Sequence, residues 1–137
     1  MTGPVLVGLD GSDASWRALE RARQLSSALD TELVAAFVPH HPAITEFAPE
    51  ALAAERQVEA ELEAEIAAGL GEAAPGTALL VRTPGKPGPE LVELADEIKA
   101  EMIVVATRGR GIVRRAALGS VAHHLVSHAT VPVVVER

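Results

Sequence analysis

The stretch MIVVATRGRGIVRRAALGSVAHHLV, residues 102–126, decides the fold of this 137-residue chain. It opens with five consecutive apolar residues, typical of a strand that is buried on both faces, and it closes with a segment of helical period. A loop rich in glycine and arginine lies between the two. The order strand, glycine loop, helix indicates a parallel sheet covered by helices.

Four more apolar runs recur along the chain, namely VLVGL at 5–9, LVAAFV at 33–38, ALLV at 78–81 and VPVVV at 131–135. The segments between the runs have helical period and predict helices from about Asp13 to Leu29, Pro49 to Leu70, Pro89 to Ala100 and Gly119 to Ala129. Crossover helices join strands in parallel. We therefore predict one α/β domain over residues 1–137, with a five-stranded, mostly parallel open sheet and helices on both faces, of the Rossmann-like class.

Local signals support the first two helices. Ser12 is placed to cap the first helix, because serine is a preferred residue at that position. Val58, Leu62, Ile66 and Leu70 recur every four residues. That spacing predicts an apolar row on the second helix that packs against the sheet.

Composition excludes several functional classes. The chain contains no cysteine, which removes disulfides and thiolate metal sites, and its three aromatic residues are too few for a base-stacking surface. The start MTGP lacks the basic segment of a signal peptide, and the uncharged stretch 116–135 is interrupted by glycine, histidine and proline. We expect a cytoplasmic protein with no nucleic-acid partner and no membrane segment.

The predicted strand ends place the ligand site. In open parallel sheets, ligands bind beyond the carboxyl ends of the strands. The chain contains neither GxxxxGK[ST] nor GxGxxG, which excludes a P-loop and a dinucleotide fingerprint. Asp10 follows the first strand, where its charge would repel a pyrophosphate but could accept hydrogen bonds from a sugar or a base amino group.

The loop after the fourth strand has the features of a phosphate site. Gly109 and Gly111 lack a Cβ, so that consecutive N–H groups can turn toward an anion, and Gly119 and Ser120 open the next helix. A helix N-terminus favours negative charge. Four arginines raise the local positive potential: Arg108, Arg110, Arg114 and Arg115. These residues predict a mononucleotide clamp, with Asp10 on the neighbouring strand.

Three segments of the chain resemble the universal stress protein family: VLVGLDGSDASWRAL, PGKPGPELVELADEIKAEMIVVATRGRG and LGSVAHHLVSHATVPVVVER. The resemblance covers essentially the whole chain. It implies a sheet like that of the adenine nucleotide alpha hydrolases, with ATP, with or without Mg²⁺, between the first and fourth strands. It also implies a homodimer through the last strand, from Val131 to Val135.

The family's nucleotide motif assigns roles by position. The motif is a glycine, two residues, a glycine, nine residues, then glycine and serine or threonine, and here nine residues separate Gly109 from Gly119 and Ser120. The resemblance implies that these three hold the phosphates, that Asp10 meets the adenosine, and that Val38 touches adenine through its backbone. Ala106 stands where the family has the first glycine. Its methyl is harmless in a strand conformation and obstructive where φ is positive or where a phosphate must approach very closely.

Two functional hypotheses follow. The first is an ATP-binding, dimeric stress-response module, and the second is a dimerising scaffold of the same fold that binds no nucleotide. No residue set has the spacing of catalytic machinery, which leaves slow ATP hydrolysis or autophosphorylation as an incidental activity. His124 and His128 lie four apart but lack a third metal ligand, and we expect no metal site. His40 and His41 follow the second strand, where they could border a base.

Overall fold

The computed structural model describes residues 2–40, 49–108 and 118–137. Along these residues strands and helices alternate in the order β1 (Val5–Gly8), α1 (Asp13–Ala28), β2 (Leu33–Phe37), α2 (Pro49–Ala73), β3 (Ala78–Val81), α3 (Pro87–Glu97), β4 (Met102–Ala106), α4 (Ser120–His128) and β5 (Val133–Glu136). The five predicted strands and four predicted helices are confirmed, with ends that shift by no more than three residues.

The strands form one parallel sheet in the order β3-β2-β1-β4-β5. β1 lies at the centre, where Gly8 pairs with Ala36 of β2 and Val7 pairs with Val104 of β4. The chain adds β2 and β3 on one side of β1 and then crosses to add β4 and β5 on the other. This crossing makes β1 and β4 the topological switch point of the sheet, at which open α/β proteins bind ligands.

Side chains of β1 alternate between two hydrophobic cores. Val5 and Val7 pack with residues of α1 and α2, whereas Leu6 packs with residues of α3 and α4. These three β1 side chains are completely buried. Burial on both faces explains why the strands read as continuous apolar runs, and it confirms that helices cover both faces of the sheet.

The predicted apolar row of α2 is only partly confirmed. Ile66 and Leu70 are buried and Leu62 packs against the same core, but Val58 is 58% exposed. α2 has 25 residues and is about 37 Å long, whereas a strand of four or five residues spans about 16 Å. Its N-terminal half therefore has no sheet to pack against, which makes the prediction wrong for Val58.

No helix in the described ranges is both long enough and apolar enough to cross a membrane.

The last strand begins two residues later than the sequence predicts. β5 forms an edge of the sheet and starts at Val133, so that Pro132 precedes the strand. The carbonyl of Pro132 still accepts a hydrogen bond from the Ile103 N–H, at 3.0 Å. Proline is tolerated here because the missing N–H belongs to the start of an edge strand.

The turn between β1 and α1 requires a glycine. Gly11 has φ +84°, and a Cβ at this position would lie 2.5 Å from Cδ1 of Leu62. We predict that Gly11→Ala lowers the free energy of unfolding by about 1–2 kcal/mol, the cost of a left-handed conformation for an L-residue. Urea denaturation measures this change.

The matched control is Gly71→Ala in α2, where an added Cβ meets no atom within 4 Å. Alanine is the better helix former, and this variant should raise the free energy of unfolding by up to about 1 kcal/mol. Equal stability of Gly11→Ala and the wild type would contradict the strain assigned to the turn.

Candidate functional site

A cavity of about 250 Å³ opens at the carboxyl edge of the sheet, beside the switch point of β1 and β4. Its wall is built from the ends of β1, β2 and β4 and from the starts of α1, α3 and α4. The lining residues are Gly8, Leu9, Asp10, Ser15, Ala36, Val38, His40, Pro87, Leu91, Val105, Ala106, Thr107, Arg108, Gly119, Ser120, Val121 and Ala122. The cavity thus lies where the strand order leads one to expect a ligand.

Seven of the residues that the sequence nominates line this one cavity: Asp10, Val38, His40, Ala106, Arg108, Gly119 and Ser120. They come from four separate segments of the chain. Gly109 and Gly111 lie outside the described residues, as do His41, Arg110, Arg114 and Arg115. Residues that are far apart in sequence therefore converge on one cavity.

The carboxylate of Asp10 is oriented by the start of α1. Its Oδ1 accepts hydrogen bonds from the Ser12 N–H at 2.9 Å and the Ser12 hydroxyl at 2.6 Å. Ser12 Oγ in turn accepts from the Ser15 N–H at 3.1 Å, which confirms the predicted cap. Oδ2 of Asp10 has no hydrogen-bond partner in the described part of the chain, so one oxygen holds the group in place and the other is available to a ligand.

Three helices begin around the cavity, but two of them are poorly suited to an anion. The start of α1 is already capped by Ser12 and carries the negative charges of Asp10 and Asp13. α3 has proline at its first and third positions, Pro87 and Pro89, so two of its leading residues have no N–H to donate.

The start of α4 has neither defect. Its N-cap is Gly119, which makes no side-chain cap, and the first backbone bond of the helix runs from the His123 N–H to the Gly119 carbonyl. The N–H groups of Ser120, Val121 and Ala122 therefore lack intrahelical acceptors, and all three residues line the cavity. N–H groups without intrahelical acceptors and the helix dipole together make this wall suited to an anion.

Backbone hydrogen bonds hold the start of α4 against the end of β4. The Gly119 N–H donates to the Thr107 carbonyl, and the Thr107 N–H donates to the Glu136 carbonyl of β5 at 2.8 Å. Arg108, the next residue, lines the cavity and has no ion pair within the described ranges. Its uncompensated charge adds to the positive potential at this end of the cavity.

The β2 side of the cavity is lined by apolar side chains and by His40, and it carries backbone groups without hydrogen-bond partners among the described residues. Val38 is 6% exposed, and neither its N–H nor its C=O forms a hydrogen bond with other described residues. Ala36, Leu91 and Val105 complete the wall. Because buried backbone groups are almost always paired, the free donor and acceptor of Val38 suit the polar edge of a flat ring.

Ala106 has the conformation in which its methyl is harmless. It is the last residue of β4 and pairs with Glu136. Among the described residues other than glycine, only Asp30 and Lys99 have positive φ. The departure from the family's first glycine therefore introduces no backbone strain at this position.

The sequence analysis missed the small residues that make room for the cavity. Gly8 of β1, Ala36 of β2 and Ala122 of α4 all belong to the wall. The available signal was the change from valine and leucine to glycine and alanine near the carboxyl ends of two central strands. Leu91 was also missed, because nothing in its local sequence distinguishes it from an ordinary core residue.

The histidine pair of α4 forms a stacked contact. The rings of His124 and His128 lie 4.2 Å apart, and Nδ1 of His128 is 3.0 Å from the His124 carbonyl. Burial, and then the charge of His128, lower the pKa of His124. Within residues 2–40, 49–108 and 118–137, no three histidine or acidic side chains are grouped as a metal site would need.

Residues 1–137 match the family model described as the universal stress protein family. The chain belongs to this family, as its sequence motifs indicate. It is 33% identical over 135 residues to a universal stress protein of Mycobacterium tuberculosis, covering 98% of this chain and 45% of that protein. It is also 33% identical to a shorter one from the same bacterium, covering 96% and 93% of the two chains. This chain thus spans about half the length of the first of these curated relatives.

Solved structures agree with the fold. Universal stress protein UspA from Lactobacillus plantarum is 22% identical, with a TM-score of 0.83 over 98% of this chain and 97% of that one. A universal stress protein solved in complex with cAMP is 32% identical, with a TM-score of 0.67 over 98% and 97% of the two chains. The predicted α/β class and the open five-stranded parallel sheet are confirmed.

The cap that orients Asp10 is testable through stability. We predict that Ser12→Ala lowers the free energy of unfolding by about 1 kcal/mol, because the Ser15 N–H loses its acceptor. Ser27→Ala is the control, since Ser27 is exposed near the end of the same helix. Chemical denaturation of both variants provides the comparison, and equal effects would show that the cap contributes nothing.

Proposed function

We propose that this protein binds an adenine nucleotide, ATP in the first instance, in the cavity between the ends of β1 and β4, and acts as a nucleotide-dependent stress-response module. One observation carries the proposal: Asp10, Val38 and the uncapped start of α4 line a single cavity. The relative solved with cAMP, 32% identical to this chain, supports the choice of an adenine nucleotide.

The polarity of the cavity sets the orientation of the nucleotide. Its phosphates lie against the free N–H groups at the start of α4, near Arg108, because these groups supply the positive potential. Oδ2 of Asp10 accepts from a sugar hydroxyl or the base amino group, and the backbone of Val38 pairs with the base edge. The base then occupies the apolar β2 side of the cavity.

The chemistry of the site is that of binding. Asp10 is the only carboxylate among the described residues of the wall, and its Oδ1 is engaged by Ser12. Mg²⁺ would therefore arrive already bound to the nucleotide's phosphates. ATP hydrolysis or autophosphorylation, if measured, would be slow, since no described side chain of the wall is paired as nucleophile and base.

A second candidate function is assembly through β5. Among the described residues this strand pairs only with β4, which leaves its other edge open to them. The carbonyls of Pro132 and Glu136 accept hydrogen bonds from β4, so the period of a strand directs the backbone groups of Val133 and Val135 to the open edge. An open apolar edge favours pairing with a second copy, and we include a homodimer through β5 in the proposal.

Nucleotide binding is tested by calorimetric titration with ATP, AMP and cAMP, together with mass spectrometry of any nucleotide released on heat denaturation. We predict that the wild-type protein binds adenine nucleotides. Gly119→Leu should abolish binding, since Gly119 lines the cavity and a leucine side chain there would take up space that the ligand needs. It should not unfold the domain, because φ of −64° and ψ of 166° at this position suit any residue. No binding at millimolar ATP would reject the proposal.

Two further variants refine this test. Asp10→Asn keeps an oxygen that accepts from Ser12 but replaces the ligand-facing oxygen with an NH2 donor, and it should weaken binding about tenfold or more, since a hydrogen bond to a charged acceptor is lost. Ala106→Gly should leave affinity within about threefold, because Ala106 is unstrained in β4. A large gain for Ala106→Gly would show that the methyl obstructs the nucleotide.

Assembly is tested by light scattering at low micromolar concentration. We predict twice the 14.3 kDa mass of the chain. Val135→Pro removes an N–H that faces the open edge and spares the bonds to β4, so it should shift the protein toward monomer, whereas Val135→Ala should not. A wild-type protein that is monomeric throughout would contradict pairing through β5.

A further inference from the structure

His40 lines the cavity, yet the orientation of the nucleotide proposed above assigns it no task. It stands three residues beyond the end of β2, following Val38 and Pro39, both of which are buried. His40 itself is exposed. The chain therefore emerges from the core at His40, which stands at the mouth of the cavity.

The backbone of His40 is held in place by a neighbouring loop. His40 pairs with Gly85 in an isolated parallel bridge, and the Gly85 N–H donates to the Pro39 carbonyl at 3.0 Å. These contacts involve only main-chain atoms. The side chain is thus not needed to hold the loop.

The imidazole also has no structural partner. It makes no hydrogen bond, ion pair or ring contact with the described residues. The neighbouring wall, which includes Pro87 and Leu91 of α3, is apolar. An unpaired flat ring beside an apolar wall is suited to a second flat ring.

Strand order determines which end of a nucleotide His40 can reach. β2 and β4 lie on opposite sides of β1, and neighbouring strands are about 4.8 Å apart, so β2 and β4 are about 10 Å apart. Arg108 and the start of α4 follow β4, whereas Val38 and His40 follow β2. His40 therefore lies on the base side of the cavity and away from the anion site.

We propose that His40 is a binding residue that contacts the base of the bound nucleotide. This inference rests on the proposed function. It assigns the imidazole to recognition of the ring system, leaving phosphate recognition to α4 and Arg108. The contact is with the heterocycle, so it is shared by adenosine, AMP and ATP.

The experiment titrates adenosine, AMP and ATP into the wild type, His40→Ala and His40→Phe. His40→Ala should weaken all three ligands by the same factor, about tenfold, within the range for loss of an aromatic contact with a base. His40→Phe should restore most of the affinity if the rings stack, whereas equal losses in both variants would assign the contact to an imidazole nitrogen. His123→Ala is the control, because His123 is exposed on α4 and does not line the cavity.

The outcomes separate this inference from the function on which it rests. Wild-type binding of all three ligands, with His40→Ala within twofold of it, overturns the role of His40 alone. A loss confined to ATP also overturns it, since the residue would then act at the phosphates. If the wild type binds none of the three, the proposed function fails first. Melting temperatures of the variants should match the wild type, because only backbone atoms hold the loop.

Discussion

The central place of β1 in the sheet is the constraint on which the rest of the structure depends. Val5, Leu6 and Val7 are completely buried between two layers of helices, and the hydrophobic effect therefore holds this strand at the centre. Because β2 and β4 both pair with β1, the loops that follow them must diverge to opposite sides. The cavity opens at that divergence, and its walls come from segments that are far apart in sequence.

The two ends of the cavity differ physically, because the helix at one end starts without a side-chain cap and the strand at the other end leaves backbone groups unpaired. At the β4 end, Gly119 starts α4 without a side-chain cap, and hydrogen bonding to Thr107 holds its free N–H groups against the wall. At the β2 end, Val38 presents unpaired backbone groups among apolar neighbours. Asp10 lies on the strand between them, with one carboxylate oxygen engaged by Ser12. A ligand with an anionic end and a flat apolar end matches this arrangement better than a symmetrical one.

Membership of the universal stress protein family fits this construction, and the chain's one departure from the family motif is compatible with it. Ala106 replaces a glycine, but it lies in β4 with an ordinary strand conformation. His40 stands at the mouth of the cavity on its β2 side, which β1 separates from the start of α4.

The sequence by itself determined the α/β class, the nine elements and seven of the residues in the cavity wall, since hydrophobic period, helix caps and the order of strands are local properties of the chain. It did not predict that Val58 is exposed, because the length of α2 can be compared with that of the sheet only once the two are packed together. Only the tertiary structure revealed that the small residues Gly8, Ala36 and Ala122 form part of the cavity wall. It alone also revealed that the backbone N–H and C=O of Val38 have no hydrogen-bond partner among the described residues. The space of the cavity and the backbone groups left without hydrogen-bond partners depend on which segments meet, and packing across the whole chain decides which segments meet.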